Sequence, residues 1–196
     1  EDTMLDTSAV DQTQAFLDAF GAALEAEDID AAVALFHEDS YWRDLVSFTW
    51  NIKTVEGKDQ VADMLTHQLA TTKPTGWTLA EGEIPTEEDG ITTAWIAFET
   101  AVARGYGLLR LKGDKIWTLL TTMVELKGHE EPAGFNRPLG AKHGAGKHRE
   151  TWAEERAREA AELGYTKQPY CLIIGGGQGG IAMGARLRQL GVPTII

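Results

Sequence analysis

The sequence predicts an α+β fold: three helices on a curved antiparallel sheet forming a cone, then a connecting helix and the first β-α-β of a Rossmann-type unit. Three observations carry this prediction. Apolar residues recur at helical intervals as far as Ala70, and from Trp77 to Leu126 the period changes to two. Near residue 127 composition and charge both change, and further on a run of glycines follows an apolar stretch. Helices gathered before antiparallel strands argue α+β rather than alternating α/β.

Taken in order, residues 9–26 carry Phe16, Leu17, Phe20, Ala23 and Leu24 on one helical face, with acidic residues on the other. Glu27-Asp28 interrupts the pattern, and Asp28 is placed to cap a short second helix through Ile29, Ala32, Val33 and Phe36. The polar run His37-Glu38-Asp39-Ser40 is expected to end it. Tyr41 to Leu45 reads as a short strand and Ser47 to Thr54 as a loop. Gly57 to Ala70 reads as a third helix burying Val61, Met64, Leu65 and Leu69, stopped by Pro74 and Gly76. Four strands follow, at Trp77–Ala80, Ile91–Val102, Tyr106–Lys112 and Lys115–Leu126. Glu87-Glu88-Asp89-Gly90, Arg104-Gly105 and Gly113-Asp114 are the expected reversals. The last strand should show Ile116, Thr118, Leu120, Thr122 and Val124 on one face, and Trp117, Leu119, Thr121 and Met123 on the other.

Charge sharpens the boundary. The chain carries a formal −12 at pH 7. Residues 1–126 hold 8 basic and 23 acidic side chains, and residues 127–196 hold 10 and 7. So acidic a first part repels phosphate backbones, and nucleic acid is not an expected partner. The one cysteine, Cys171, leaves no disulfide within the chain and reads as a small apolar filler. No apolar run approaches the roughly 20 residues that span a bilayer, and Glu1-Asp2-Thr3-Met4 has no signal-peptide pattern. No membrane partner and a cytoplasmic location are therefore expected.

The stretches Ala34-Leu35-Phe36-His37-Glu38-Asp39-Ser40-Tyr41-Trp42-Arg43-Asp44 and Val55-Glu56-Gly57-Lys58-Asp59-Gln60-Val61, in this element order, resemble the NTF2-like superfamily and within it the SnoaL-like or ketosteroid-isomerase-like domains. The resemblance covers residues 8–127. It implies a pocket inside the cone, with Asp44 as a candidate general base or ligand anchor and Trp42, Phe48 and Trp50 as candidate lining. The bland alternatives are a paired strand-end carboxylate and ordinary aromatic core. The resemblance also implies two roles for this domain: a small-molecule-binding or dimerisation module pairing through its open sheet face, or an isomerase-like enzyme.

Residues 128–167 read as a linker with one helix. Gly128, Pro132, Gly134, Pro138, Gly140, Gly144 and Gly146 oppose regular structure. Thr151-Trp152-Ala153-Glu154 then forms a capping box, opening a helix that Gly164 should stop. Arg158 can pair with Glu154 or Glu162, and this helix is expected to be a solvated strut. His143 and His148, five apart among lysines, are too few for a metal site, so no metal is expected. His37 and His67 fall on predicted helices, where surface or capping roles are expected.

Residues 168–196 begin with the apolar strand Tyr170–Ile174. The turn Gly175-Gly176-Gly177-Gln178-Gly179-Gly180 fits G-x-G-x-x-G, and a helix from Ile181 to Leu190 follows, before a new strand at Thr194. The chemistry explains the glycines. Gly175 permits a tight turn, Gly177 admits a pyrophosphate close to the backbone, and Gly180 lets helix pack on strand. The helix N-terminus then offers N–H groups to the phosphates. The acidic residue that binds the ribose is expected at or just past Ile196.

The run from Tyr170 through Leu190-Gly191-Val192-Pro193-Thr194-Ile195-Ile196 resembles the FAD-binding start of flavin-containing monooxygenases. Some of these carry an NTF2-like domain and a basic linker like Asn136-Arg137-Pro138-Leu139-Gly140-Ala141-Lys142-His143-Gly144. The resemblance implies that this chain is the N-terminal portion of a monooxygenase oxidising a small-molecule substrate with O2, FAD and NADPH. That family's second glycine motif and Phe-x-Gly-x-x-x-His stretch are not among these residues. The fragment alone is expected to be inactive and to bind no cofactor tightly.

Overall fold

The computed structural model describes residues 2–137 and 150–196, and the chain divides into two units, Glu1–Glu130 and Glu131–Ile196. The first opens with α1 (Asp2–Glu25), which buries Leu17, Phe20 and Leu24. Glu27 takes a positive φ, and the Asp28 carboxylate accepts from Ala31 N–H at 2.9 Å, capping α2 (Ile29–Ala34). The third helix, α3 (Gly57–Thr72), buries Val61, Met64, Leu65 and Leu69 and ends at Lys73 in the left-handed conformation.

The strands of this unit are β1 (Phe36–Leu45), β2 (Ile52–Glu56), β3 (Thr75–Leu79), β4 (Thr86–Glu88), β5 (Ile91–Glu99), β6 (Ala103–Lys112) and β7 (Lys115–Leu126). They form one sheet in the order β2-β1-β7-β6-β5-β3, with β4 also on β5. The sheet is mixed rather than antiparallel, because β1 runs parallel to β7. Its concave face takes α1 against β3 and α3 against β1 and β2. Gln14 of α1 ties helix to edge strand, accepting from Leu79 N–H at 3.0 Å and donating to the Trp77 carbonyl at 3.2 Å.

Four local readings need correction. His37 to Ser40 belong to β1, not to a helix end: α2 is only one and a half turns long, and Phe36 enters the core as the first strand residue, opposite Ile116. Ile52 to Thr54, read as loop, pair with Leu45 to Arg43 as β2. Glu87 and Glu88 lie in β4, so the reversal is confined to Asp89-Gly90, both at positive φ as a two-residue hairpin of this hand requires. Arg104-Gly105 is strand, and the chain turns earlier, at Thr100 to Val102, where the Thr100 hydroxyl accepts from the N–H groups of Val102 and Ala103.

Strict alternation in β7 also fails. A register shift sets Leu111 opposite Ile116 but Arg110 opposite Thr118, leaving Trp117 as the extra residue of a bulge. Ile116, Leu119 and Thr121 therefore all reach the core.

The second unit contains a short 3-10 turn (Gly134–Asn136), α4 (Trp152–Glu162), β8 (Cys171–Leu172), α5 (Gln178–Gln189) and β9 (Thr194–Ile195). The capping box at Thr151 forms, and it occupies Glu154, so Arg158 pairs instead with Glu150 at 2.9 Å and Glu162 at 3.4 Å. β8 and β9 are parallel, with α5 between them in sequence. The basic linker from Pro138, including His143 and His148, lies outside the described residues. Among the described residues no helix is long and apolar enough to cross a membrane.

Candidate functional site

The interior of the first unit is built from aromatic rings that close on one another. Phe36 stacks on Trp42 at 5.8 Å and Trp42 meets Phe48 edge-on at 4.9 Å. Phe48 is 6.2 Å from Phe98, which stacks on Trp77 at 4.5 Å. Trp77 meets Phe20 at 5.0 Å, and Phe20 returns to Phe36 at 5.9 Å. All six side chains are buried. Edge-on and offset contacts of this kind contribute about 0.5–1.5 kcal/mol per pair beyond the area they bury, so the cycle makes a firm core. The space expected to hold a ligand is, at Trp42 and Phe48, occupied by their neighbours' rings.

Asp44 lies beside this cycle, fully buried. Its Oδ1 accepts from the Thr121 hydroxyl at 2.8 Å, and Oδ2 accepts from the N–H and hydroxyl of Thr49, each at 2.8 Å. The Phe48 N–H points at both oxygens, 3.0 Å from the nearer. Thr121 in turn accepts from the Trp42 indole N–H at 2.9 Å. A buried carboxylate is tolerated only when such donors replace water. Here the donors come from the loop between β1 and β2, so the charge anchors that loop on β7. The loop is under strain: Val46, a β-branched residue, has φ 59° and Trp50 has φ 54°. Trp50 sits at the surface, 61% exposed, and lines no interior space. Sequence reasoning named Asp44 and Trp42 as site candidates but not Thr49 and Thr121, since the alternation that put Thr121 on a strand face says nothing of what its hydroxyl meets.

His37 lies on β1, its Nδ1 accepting from Asp39 N–H at 3.2 Å, and His67 on α3 sits over the Asp63 carbonyl at 2.8 Å. At the far ends of β6 and β7, Arg104 bridges Glu125 and Glu130, at 2.7 and 3.0 Å. The Arg104 guanidinium holds the Glu130 carboxyl at about 2, well below its ordinary value.

In the second unit the glycine turn lies between β8 and α5. Gly175 has φ +118°, open to glycine alone. A Cβ on Gly180 would stand 1.9 Å from the Gly175 carbonyl oxygen, so α5 folds back against the end of the strand only because Gly180 has no side chain. Gly184, one turn later, does the same against Ile196, at 2.2 Å, a contact the sequence reading did not single out. At Gly176, Gly177 and Gly179 an added Cβ would meet nothing within 4 Å. This open side of the turn lies at the N-terminus of α5, which has no side-chain cap and whose first N–H groups have no intrahelical acceptor. Leu172, Ile174, Ile181, Met183 and Ile196 of the same unit are exposed. The Cys171 thiol is free and half-buried on β8. Among the described residues, no group of three or more His, Cys, Asp or Glu could hold a metal ion.

A family model described as a SnoaL-like domain matches residues 14–119. No curated protein matches the chain. Solved structures are similar to the chain at low identity. An NTF2-like protein of unknown function from Cytophaga hutchinsonii is 18% identical, over 56% of this chain and 87% of that one, with a TM-score of 0.38. A ketosteroid isomerase-like protein from Erwinia carotovora atroseptica is 14% identical, over 60% and 95%, at 0.47. The orange carotenoid protein of Anabaena (Nostoc) sp., solved with canthaxanthin, is 14% identical, over 57% and 36%, at 0.44. The family match takes in the aromatic cycle, β1 to β6, α2, α3 and the second half of α1, and through residues 14–119 the chain belongs to the SnoaL-like domain family.

Proposed function

We propose that the SnoaL-like unit works as an association module, pairing with a second copy through the outer face of its sheet. The observation that carries this reading is a set of apolar side chains on the outer face of a unit whose core rings pack on one another. Trp95 and Tyr106 stack at 5.4 Å on that face. Cross-strand pairing sets Trp95 beside Leu108, Leu108 beside Leu120, and Leu120 beside Arg43 in one row. Trp95, Ile52 and Val124 are exposed. An apolar patch on a sheet face can be self-complementary under a two-fold axis, which places the same residues from both copies at the centre. An isomerase-like use of the cone is less well supported, because Asp44 gives its lone pairs to Thr49, Phe48 and Thr121.

Sedimentation equilibrium tests the reading. The expected result is a dimer of the full chain that Trp95→Glu weakens by at least 100-fold, since the substitution buries two unpaired charges at the axis. A wild-type chain that stays monomeric at high concentration, or a dimer indifferent to Trp95→Glu, overturns it.

A second reading concerns the other unit. The turn geometry at Gly175 and Gly180 supports a phosphate cradle of the kind found at the start of the FAD domain of flavin-containing monooxygenases. In that setting FAD and NADPH would supply the redox chemistry with O2. These residues would hold the pyrophosphate, and the SnoaL-like unit would assemble the enzyme. One β-α-β offers phosphate contacts but no walls for a flavin, so the 196-residue chain is expected to purify without colour. Stoichiometric flavin absorbance in a purified sample would count against that expectation.

A further inference from the structure

On the outer sheet face, one row of strand pairs beyond Trp95, Leu108 and Leu120, there is a cleft of about 350 Å³ that the association reading does not use. Its floor is the cross-strand row Thr86, Thr93 and Arg110, and its ends are Lys112 and Trp117. Three carboxylates line it as well: Asp39 from β1, Glu88 from β4 and Asp89 from the β4–β5 turn.

Two irregularities in the sheet meet at this spot. The bulge in β7 supplies Trp117, and a register shift in β1 between Phe36 and Tyr41 carries Asp39. Bulges of this kind re-aim side chains, and they are over-represented next to functional sites. The Arg110 guanidinium lies over the Trp117 ring, 4.7 Å from its centre. That contact orients the guanidinium without neutralising it. Among the described residues, neither the Arg110 nor the Lys112 side chain has a hydrogen bond or an ion pair, although three carboxylates share the cleft. The Asp39 carboxylate is engaged only locally, where it pushes the Tyr41 phenol above its ordinary pKa.

Opposite charges that line one cleft without pairing leave space for a molecule carrying both. We propose that this cleft binds a small zwitterion, its carboxylate received by Arg110 and Lys112 and its ammonium by Glu88, Asp89 and Asp39. Arginine is suited to the first task because its planar fork takes a carboxylate through two parallel hydrogen bonds. The volume falls within the range of small-molecule sites. An anion alone would meet three carboxylates, and a cation alone would meet two fixed positive charges. The site does not depend on the association reading or on the glycine turn.

The test is a titration of the full chain followed by the indole N–H signal of Trp117, assigned by its loss in Trp117→Phe. The probes are glycine, 4-aminobutanoate and 6-aminohexanoate, which differ in charge separation, with butanoate and butylammonium as single-charge controls. At least one zwitterion is expected to move the signal saturably. Both controls should bind at least tenfold more weakly, and Arg110→Gln and Glu88→Gln should each weaken the zwitterion by a similar factor. Glu88 lies at the surface, so its variant decides the question even if Arg110→Gln disturbs the sheet. No saturable shift with any zwitterion, butanoate or butylammonium binding equally well, or undiminished binding in Glu88→Gln would each overturn the proposal.

Discussion

Replacing Asp44 with alanine is expected to lower the stability of the SnoaL-like unit by about 3–5 kcal/mol, measured as a shift in the denaturant midpoint at constant m. The carboxylate is fully buried. Its removal takes the acceptor from the Thr49 N–H, the Phe48 N–H and the Thr121 hydroxyl, the last two of them on buried residues. Each orphaned group costs about 1–3 kcal/mol. Asp44→Asn should cost less, about 2 kcal/mol, because it keeps one accepting oxygen while placing an N–H₂ among donors. Only the Thr121 and Thr49 hydroxyls can rotate to accept, and they already receive the Trp42 indole N–H and the Asn51 N–H. A carboxylate held solely for catalysis would behave in the opposite way, since active-site substitutions commonly leave stability unchanged or raise it. Retention of full stability in Asp44→Ala would remove the anchoring role assigned here. Trp50 fluorescence offers a second readout, because the loop that Asp44 pins presents that ring to solvent.

Much of this arrangement was legible from local chemistry. Asp28 as a cap, the Thr151–Glu154 box and the Asp89-Gly90 hairpin follow from interactions within four residues, and those are visible in a sequence. The core faces of α1 and α3 were legible because a single helical period generates them. The parallel pairing of β1 with β7 was not, since it joins residues some eighty positions apart and leaves no trace in either strand's own pattern. The bulge at Trp117 was hidden for a related reason: alternation in sequence assumes an unbroken register. At the candidate site the acid and the indole stood out by residue type. Their partners Thr49 and Thr121 did not, because a threonine on a strand is ordinary until its hydroxyl is seen to face a buried charge.

Gly105 shows the same limit and carries the second large effect. In sequence Arg104-Gly105 reads as a reversal. In the fold Gly105 is mid-strand with extended backbone, and its missing side chain is a slot for a ring. A Cβ there would lie 2.3 Å from the end of the Phe98 ring, and Phe98 is one of the six rings of the aromatic cycle. Gly105→Ala must therefore push Phe98 off both Phe48 and Trp77, at an expected cost of about 2–3 kcal/mol. The effect is steric, so shortening the ring should relieve it. Phe98→Leu alone should cost about 1–3 kcal/mol by opening space in the core. The double variant Gly105→Ala with Phe98→Leu should then be more stable than the two separate losses predict, by at least 1 kcal/mol. Strict additivity in that cycle would mean that the glycine is required by the backbone rather than by the ring. The same measurement on Gly107→Ala supplies the contrast. A Cβ at Gly107 would meet the Leu120 carbonyl oxygen at 2.2 Å. No side-chain substitution can move that backbone atom aside, so its loss of stability should find no rescue at position 98.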